Sequence, residues 1–261
     1  KKPQNFDKKK YSHDNQDPEA YYGLPKEIKY CKKCVISNQR PNSEIETKFQ
    51  ISTKKQTINF NQEGICDACL IAEQKKNIDW KEREIKLIEL CNKFRSRNSS
   101  YDCIVPGSGG KDSFYAAHKL KYKYNMNPLT VTWVPNMYTE WGYKNFNSWL
   151  NAGFNNILVT PNPKVRRILT RLSTEILLHP FQSFIIGQKS IAAKMAVIHN
   201  VPLIFYGENE AEYGNPIDDF KQAERKWDYF TSNSDEDLFI GGVSISNLDK
   251  YFNINKADLF Y

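Results

Sequence analysis

The chain has 261 residues, enough for one sizeable core and an appendage, and its 40% hydrophobic and 13% aromatic content excludes a disordered chain. No apolar run is long enough to span a bilayer, and the Lys-rich start lacks the apolar stretch of a leader, so a cytoplasmic protein without membrane partners is expected. Of the net charge of +7, five lysines and one aspartate in residues 1–10 carry +4, which leaves a nearly balanced body and argues against a nucleic-acid partner.

Residues 1–29 are polar and weakly patterned, and read as an extension. Residues 30–70 hold two Cys-x-x-Cys pairs joined by a polar stretch containing Ile51, Ile58 and Phe60. Ile78, Ile85, Leu87, Ile88 and Cys91 follow a helical period, which predicts one helix over 71–97. From there strands and helices alternate. Strands are expected at 101–106, 129–134, 156–160 and 201–206, and helices at 113–124, 143–152, 165–178 and 183–200. This alternation predicts an α/β fold with a parallel sheet covered on both faces, whose ligands bind beyond the C-terminal strand ends. Residues 71–214 therefore read as one domain with a leading helix. The pattern of 215–261 is poor: 232–237 is an acidic loop, Gly241-Gly242 breaks any continuation, and this region is expected to be incomplete.

The first predicted strand runs into Pro106-Gly107-Ser108-Gly109-Gly110-Lys111-Asp112-Ser113. The glycines permit a sharp turn and close backbone approach. The helix start that follows offers free N–H groups and a positive dipole end to an anion. Ser108 and Ser113 add hydroxyl donors, and Lys111 adds a charge-assisted one. Asp112 suits a helix cap or an indirect role through Mg²⁺. The spacing is neither that of a Walker A loop nor Gly-x-Gly-x-x-Gly.

Cys31-Lys-Lys-Cys34 and Cys66-Asp-Ala-Cys69 suit a tetrahedral zinc of four thiolates in a module too small to fold without a staple. An iron–sulfur cluster and unliganded thiols are the alternatives. Cys91 and Cys103 lie in apolar stretches and read as core residues.

Ser-Gly-Gly-Lys-Asp-Ser resembles the PP-loop of the N-type ATP pyrophosphatases. That likeness implies a Rossmann-like doubly wound sheet (adenine-nucleotide α-hydrolase type) beside a zinc-ribbon-like module, and ATP split to AMP and pyrophosphate. Taken in order with the Cys pairs, His179-Pro180-Phe181-Gln182 and Tyr206-Gly207-Glu208-Asn209-Glu210, the chain is similar over about residues 30–214 to bacterial N-acetyl sugar amidotransferases. The resemblance implies an enzyme of surface polysaccharide (lipopolysaccharide) or nonulosonic-acid (pseudaminic acid) synthesis, a carbon–nitrogen ligase. It would convert an acetamido group of a free or nucleotide-linked sugar to an acetamidino group through an adenylated imidate. No glutaminase module is recognisable, so a separate glutaminase subunit, with a cyclase-like partner, is expected to supply ammonia.

Glu208 and Glu210 are candidates for holding Mg²⁺ or orienting the amide, and Asn209 for hydrogen-bonding it; a solvated acidic turn is the plain alternative. Gly187 lies within a helical pattern, where glycine costs stability. It allows close approach to nucleotide or substrate, with Gln188 nearby, or serves helix packing. His179 reads as a general base or a helix-end residue. Trp133 and Trp141 read as stacking partners for a base or sugar, or as packing residues. Two competing functions remain: a tRNA-thiolating enzyme, which needs a catalytic Cys beside the nucleotide, and a non-catalytic zinc-ribbon adaptor that binds nucleotide.

Overall fold

Three short runs form parallel strands β1 (Cys103–Pro106), β2 (Pro128–Trp133) and β3 (Asn155–Val159), hydrogen-bonded in the order β1-β2-β3. The computed structural model describes residues 23–42, 45–50, 52–208, 230, 232 and 238–259. In chain order its helices are α1 (Asp67–Gln74), α2 (Trp80–Phe94), α3 (Lys111–Tyr122), α4 (Glu140–Leu150), α5 (Pro163–Leu177), α6 (Gln182–His199) and α7 (Ile245–Phe252). The described residues fall into two compact units. One comprises 23–42 and 52–76, the other 45–50, 77–208 and the described residues from 230 onward.

In the larger unit β2 is buried at every position, as the central strand of a parallel sheet must be. Alternation along the strands sends Ile104, Leu129, Val131 and Trp133 into a cluster with Ile191, Ala192 and Met195 of α6. Cys103 and Val105 face the other way and pack with Ala117 and Leu120 of α3, Phe146 and Trp149 of α4, and Cys91 of α2. Helices therefore cover both faces.

The expected fourth strand is reduced to one parallel bridge between Ile204 and Ile104, flanked by Ile104 N to Leu203 O (2.9 Å) and Phe205 N to Ile104 O (2.8 Å). Asp102 N, the next donor along that side of β1, donates to Asn127 O instead (3.0 Å), and the ladder stops. The segment lies on the free side of β1, so the order across the sheet is 203–205, β1, β2, β3.

The single helix expected over 71–97 is two. Asp79 accepts from Lys81 N (2.9 Å) and Glu82 N (3.1 Å) and starts α2 afresh, after the 3₁₀ turn Lys75–Asn77 that follows α1. Thr139 likewise caps α4 and Asn162 caps α5, the latter with Pro163 in its first turn.

Gly241-Gly242 does not break the fold. Both glycines have positive φ (66° and 75°) and form the two-residue turn between β4 (Phe239–Ile240) and β5 (Val243–Ser244). Two consecutive positive-φ residues make the turn whose twist suits a hairpin. Ile240 and Leu248 of α7 then close a third cluster with Val165, Leu169 and Leu172 of α5 and Ile186 of α6.

Candidate functional site

The Gly-rich turn leaves β1 at the C-terminal edge of the sheet and enters α3 without a gap. Gly107 N still donates to Val131 O at 2.9 Å, so the turn begins inside the ladder. Gly109 has φ +88°, and a Cβ there would stand 2.3 Å from Asn145 O of α4. Gly110 caps α3 in extended conformation, and no heavy atom lies within 4 Å of where its Cβ would be. The first backbone bond of the helix is Phe114 N to Gly110 O (3.0 Å), so the amides of Lys111, Asp112 and Ser113 precede it and have no helical acceptor.

The Lys111 side chain is 91% exposed and 3.6 Å from the Asp112 carboxylate, which is itself half-exposed. Ser113 Oγ donates to Gly110 O (3.2 Å), and Ser108 is partly buried. Gly207, beyond the 203–205 segment, backs the same helix start: its Cβ would stand 2.6 Å from Ser113 N. The cradle thus combines an open α-carbon at Gly110, unbonded amides and an exposed cation. These residues fit a polyphosphate.

Beneath the turn lies a polar network that no sequence motif announces. Thr130 and Thr132 are fully buried on the face of β2 that meets α4. Thr132 Oγ1 donates to Gly107 O at 2.6 Å. Asn156 Oδ1 on β3 lies 3.0 Å from Trp149 Nε1, 2.9 Å from Thr130 Oγ1 and 3.1 Å from Thr132 Oγ1. The visible signal is two threonines at alternate positions of an otherwise apolar strand.

Other sequence candidates lie elsewhere. Trp133 is buried, and a Cβ on Gly187 would come within 2.2 Å of its indole, so the close approach that Gly187 permits is of α6 to Trp133. Gln188 and Glu208 are exposed, and Trp141 is exposed and stacked by Lys144. Asn209 and Glu210 lie outside the described residues. His179 closes the turn after α5, with its imidazole edge-on to Phe49 and Nε2 3.4 Å from Glu46 Oε2. Gln182 is fully buried: its Nε2 donates to Glu46 O (2.7 Å) and its Oε1 accepts from Gly241 N (2.8 Å). Arg166 of α5 donates to Val134 O and Pro135 O (both 3.3 Å) where the chain leaves β2.

In the smaller unit Cys31, Cys34, Cys66 and Cys69 bring their sulfurs within 4.8 Å of one another. The Cys31–Cys69 and Cys34–Cys66 separations are 4.0 and 3.6 Å. A tetrahedron with Zn–S bonds of about 2.3 Å has S···S edges of roughly 3.8 Å, so the four thiols fit a metal such as zinc. Local backbone sets the geometry. Cys31 and Cys34 sit on a tight turn, and Cys66 and Cys69 occupy the cap and first turn of α1. Burial pushes the Cys31 thiol up, but N–H groups of Cys34, Cys66 and Lys33 outweigh it and bring the group down to about 6. Burial raises Cys66 and Cys69. Among the described residues this is the set of three or more His, Cys, Asp or Glu close enough to share an ion. Cys91 and Cys103 are core thiols, and burial pushes Cys103 up to about 12. None of the described helices is long and apolar enough to cross a membrane.

No protein-family profile matches the chain. An uncharacterized protein of Methanocaldococcus jannaschii, MJ1599, is 35% identical over 88 residues, a stretch that spans 33% of this chain and 31% of that protein.

Proposed function

We propose that this chain is an ATP-dependent amidotransferase that converts a sugar acetamido group to an acetamidino group, with ammonia delivered by a partner glutaminase. The observation that carries the reading is the Gly107–Ser113 turn, which presents unbonded amides, two serine hydroxyls and Lys111 at the C-terminal end of a parallel strand. In this reading the sheet is Rossmann-like, and the order β3, β2, β1, 203–205 corresponds to its strands 3-2-1-4.

Bound ATP would supply an AMP group that makes the amide oxygen a leaving group. The start of α3 and Lys111 would hold the phosphates and stabilise the charge that develops on pyrophosphate. Ser108 and Ser113 would fix their orientation. Glu208 follows the 203–205 segment and would orient Mg²⁺ or the sugar amide. The four-cysteine site would hold structural zinc, because four thiolates leave no open ligand position for catalysis. Cys103 disfavours tRNA thiolation: it is buried before the turn, and a thiol raised to about 12 is a poor nucleophile.

The test is incubation with ATP, ammonium and a panel of free and nucleotide-linked diacetamido sugars. AMP and pyrophosphate should form only with the right sugar. The sugar should lose about one mass unit, as expected when an oxygen gives way to N–H, and isotopic nitrogen should enter it. Release of ADP, or sulfur incorporation into tRNA without a sugar, would overturn the assignment.

A further inference from the structure

The Gly107–Ser108 peptide is held from β2. Its carbonyl accepts from Thr132 Oγ1 at 2.6 Å, and the preceding amide, Gly107 N, donates to Val131 O at 2.9 Å. A trans peptide is planar, with its C=O and N–H antiparallel. Anchoring the Gly107 carbonyl on Thr132 therefore turns the Ser108 N–H away from the strand. Around Gly107 there is little room for another arrangement: a Cβ there would stand 2.6 Å from the Ser113 side chain and 3.2 Å from the Trp149 ring.

Thr132 has one proton and two acceptors within reach, Gly107 O at 2.6 Å and Asn156 Oδ1 at 3.1 Å. The contact to Gly107 is shorter by 0.5 Å. The Trp149 indole N–H can only donate, so it fixes the amide with Oδ1 inward, at 3.0 Å. Thr130 Oγ1 lies 2.9 Å from both Asn155 O and Asn156 Oδ1, and the Thr132 proton goes to the shorter of its own two contacts, Gly107 O. Asn156 Nδ2 is buried without a partner among the described residues, which is the cost of that orientation. An arrangement that leaves a buried amide unsatisfied yet aims one hydroxyl at the turn serves the turn rather than the core.

We propose that Thr132 is a positioning residue that locks the Gly107–Ser108 peptide so that the Ser108 N–H is preset for a phosphate oxygen. The inference rests on the nucleotide reading of the turn. Thr132→Val keeps the shape and removes the hydroxyl, whereas Thr132→Ser keeps the hydroxyl.

ATP and inorganic pyrophosphate binding are measured by calorimetry on the full chain, with thermal melting alongside. Thr132→Val should weaken both ligands about tenfold, the scale of one lost hydrogen bond, while Thr132→Ser stays near wild type. If Thr132→Val does not fold, Thr132→Ala carries the test and should also lose affinity. Unchanged affinity in the folded Val or Ala variant overturns the inference, as does a Ser variant that binds as weakly as Val. A wild-type chain that binds neither ligand overturns the nucleotide reading itself, and the inference with it.

Discussion

Gly207 lies flat against Ser113: a Cβ on the glycine would stand 2.6 Å from the Ser113 amide nitrogen and 2.7 Å from the Asp112 carbonyl carbon. Two turns far apart in sequence thus form one surface at the sheet edge. Gly207→Ala should push the first turn of α3 out of place and cost about 1–3 kcal/mol, as overpacking does. Gly110→Ala is the informative contrast, because its Cβ would meet nothing within 4 Å and its backbone suits alanine. It should leave the melting temperature nearly unchanged yet weaken ATP binding by filling the cradle. Melting and nucleotide titration of both variants check the pair. Equal ATP affinity in Gly110→Ala and wild type would place the phosphates elsewhere.

Gly187 and Trp133 should couple in a double-mutant cycle. A Cβ on Gly187 would overlap the indole at 2.2–2.7 Å, so Gly187→Ala alone should destabilise by about 1–3 kcal/mol. In a Trp133→Leu background the obstruction is gone, and the same substitution should cost little. The measurement is denaturant unfolding of the four proteins. Strict additivity would mean that α6 shifts to accommodate the methyl group instead.

What the sequence made legible was local. The strand–turn–helix over 101–124 could be read because apolar residues, three glycines and an amphipathic run follow one another directly. The two Cys-x-x-Cys pairs were legible because ligand spacing is itself a sequence pattern. The 71–97 stretch misled because its apolar period continues across Asp79, whose extended backbone and capping side chain start a new helix. The hairpin at 239–244 was missed because strands of two residues carry no period, although Gly241-Gly242 held its turn signal. The hydrogen bond from Thr132 to Gly107 joins residues 25 apart, and only strand pairing brings them together. Burial likewise separates Trp133, packed on Gly187, from Trp141, which stands in solvent.

Gln182 should matter for stability more than for chemistry. It is fully buried and joins the 3₁₀ turn Glu46–Lys48 to the β4–β5 hairpin through Glu46 O and Gly241 N. Gln182→Leu keeps the bulk but leaves a buried carbonyl and a buried N–H without partners, at about 1–3 kcal/mol each. Urea unfolding should show a loss of about 2–4 kcal/mol on that basis. A folded Gln182→Leu protein of normal stability with no turnover would instead put Gln182 in the reaction.

Purified chain should carry about one zinc, bound by four thiolates. The smaller unit has a buried cluster of Cys31, Ile58, Cys66 and Cys69, in which the ligands themselves are most of the core. Folding of residues 23–42 and 52–76 should therefore depend on the ion. Strong chelation should release the metal and expose backbone amides of these residues to hydrogen exchange. Cys66→Ser should do the same without chelator. Stoichiometric iron with visible absorbance would identify a cluster instead.

Lys111 separates catalysis from architecture more cleanly than any other residue of the turn. Its side chain is 91% exposed, and its Asp112 partner is 3.6 Å away in an exposed pair, an interaction that contributes little to stability. Lys111→Ala should therefore leave the melting temperature within a degree or two, since surface changes of this kind stay within about 0.5 kcal/mol. If the turn stabilises departing pyrophosphate, the same substitution should lower sugar-dependent AMP formation by about 10²–10³-fold, the usual effect of removing one preorganised charge partner. Asp112→Ala should lose turnover too, with a small stability loss, because an acidic residue leaves the first turn of α3. The assay is AMP release by each folded variant at saturating ATP. A Lys111→Ala protein that turns over at the wild-type rate would show that the cation near the α3 start has no part in phosphate chemistry. The turn would then be a binding feature alone, as the adaptor alternative requires.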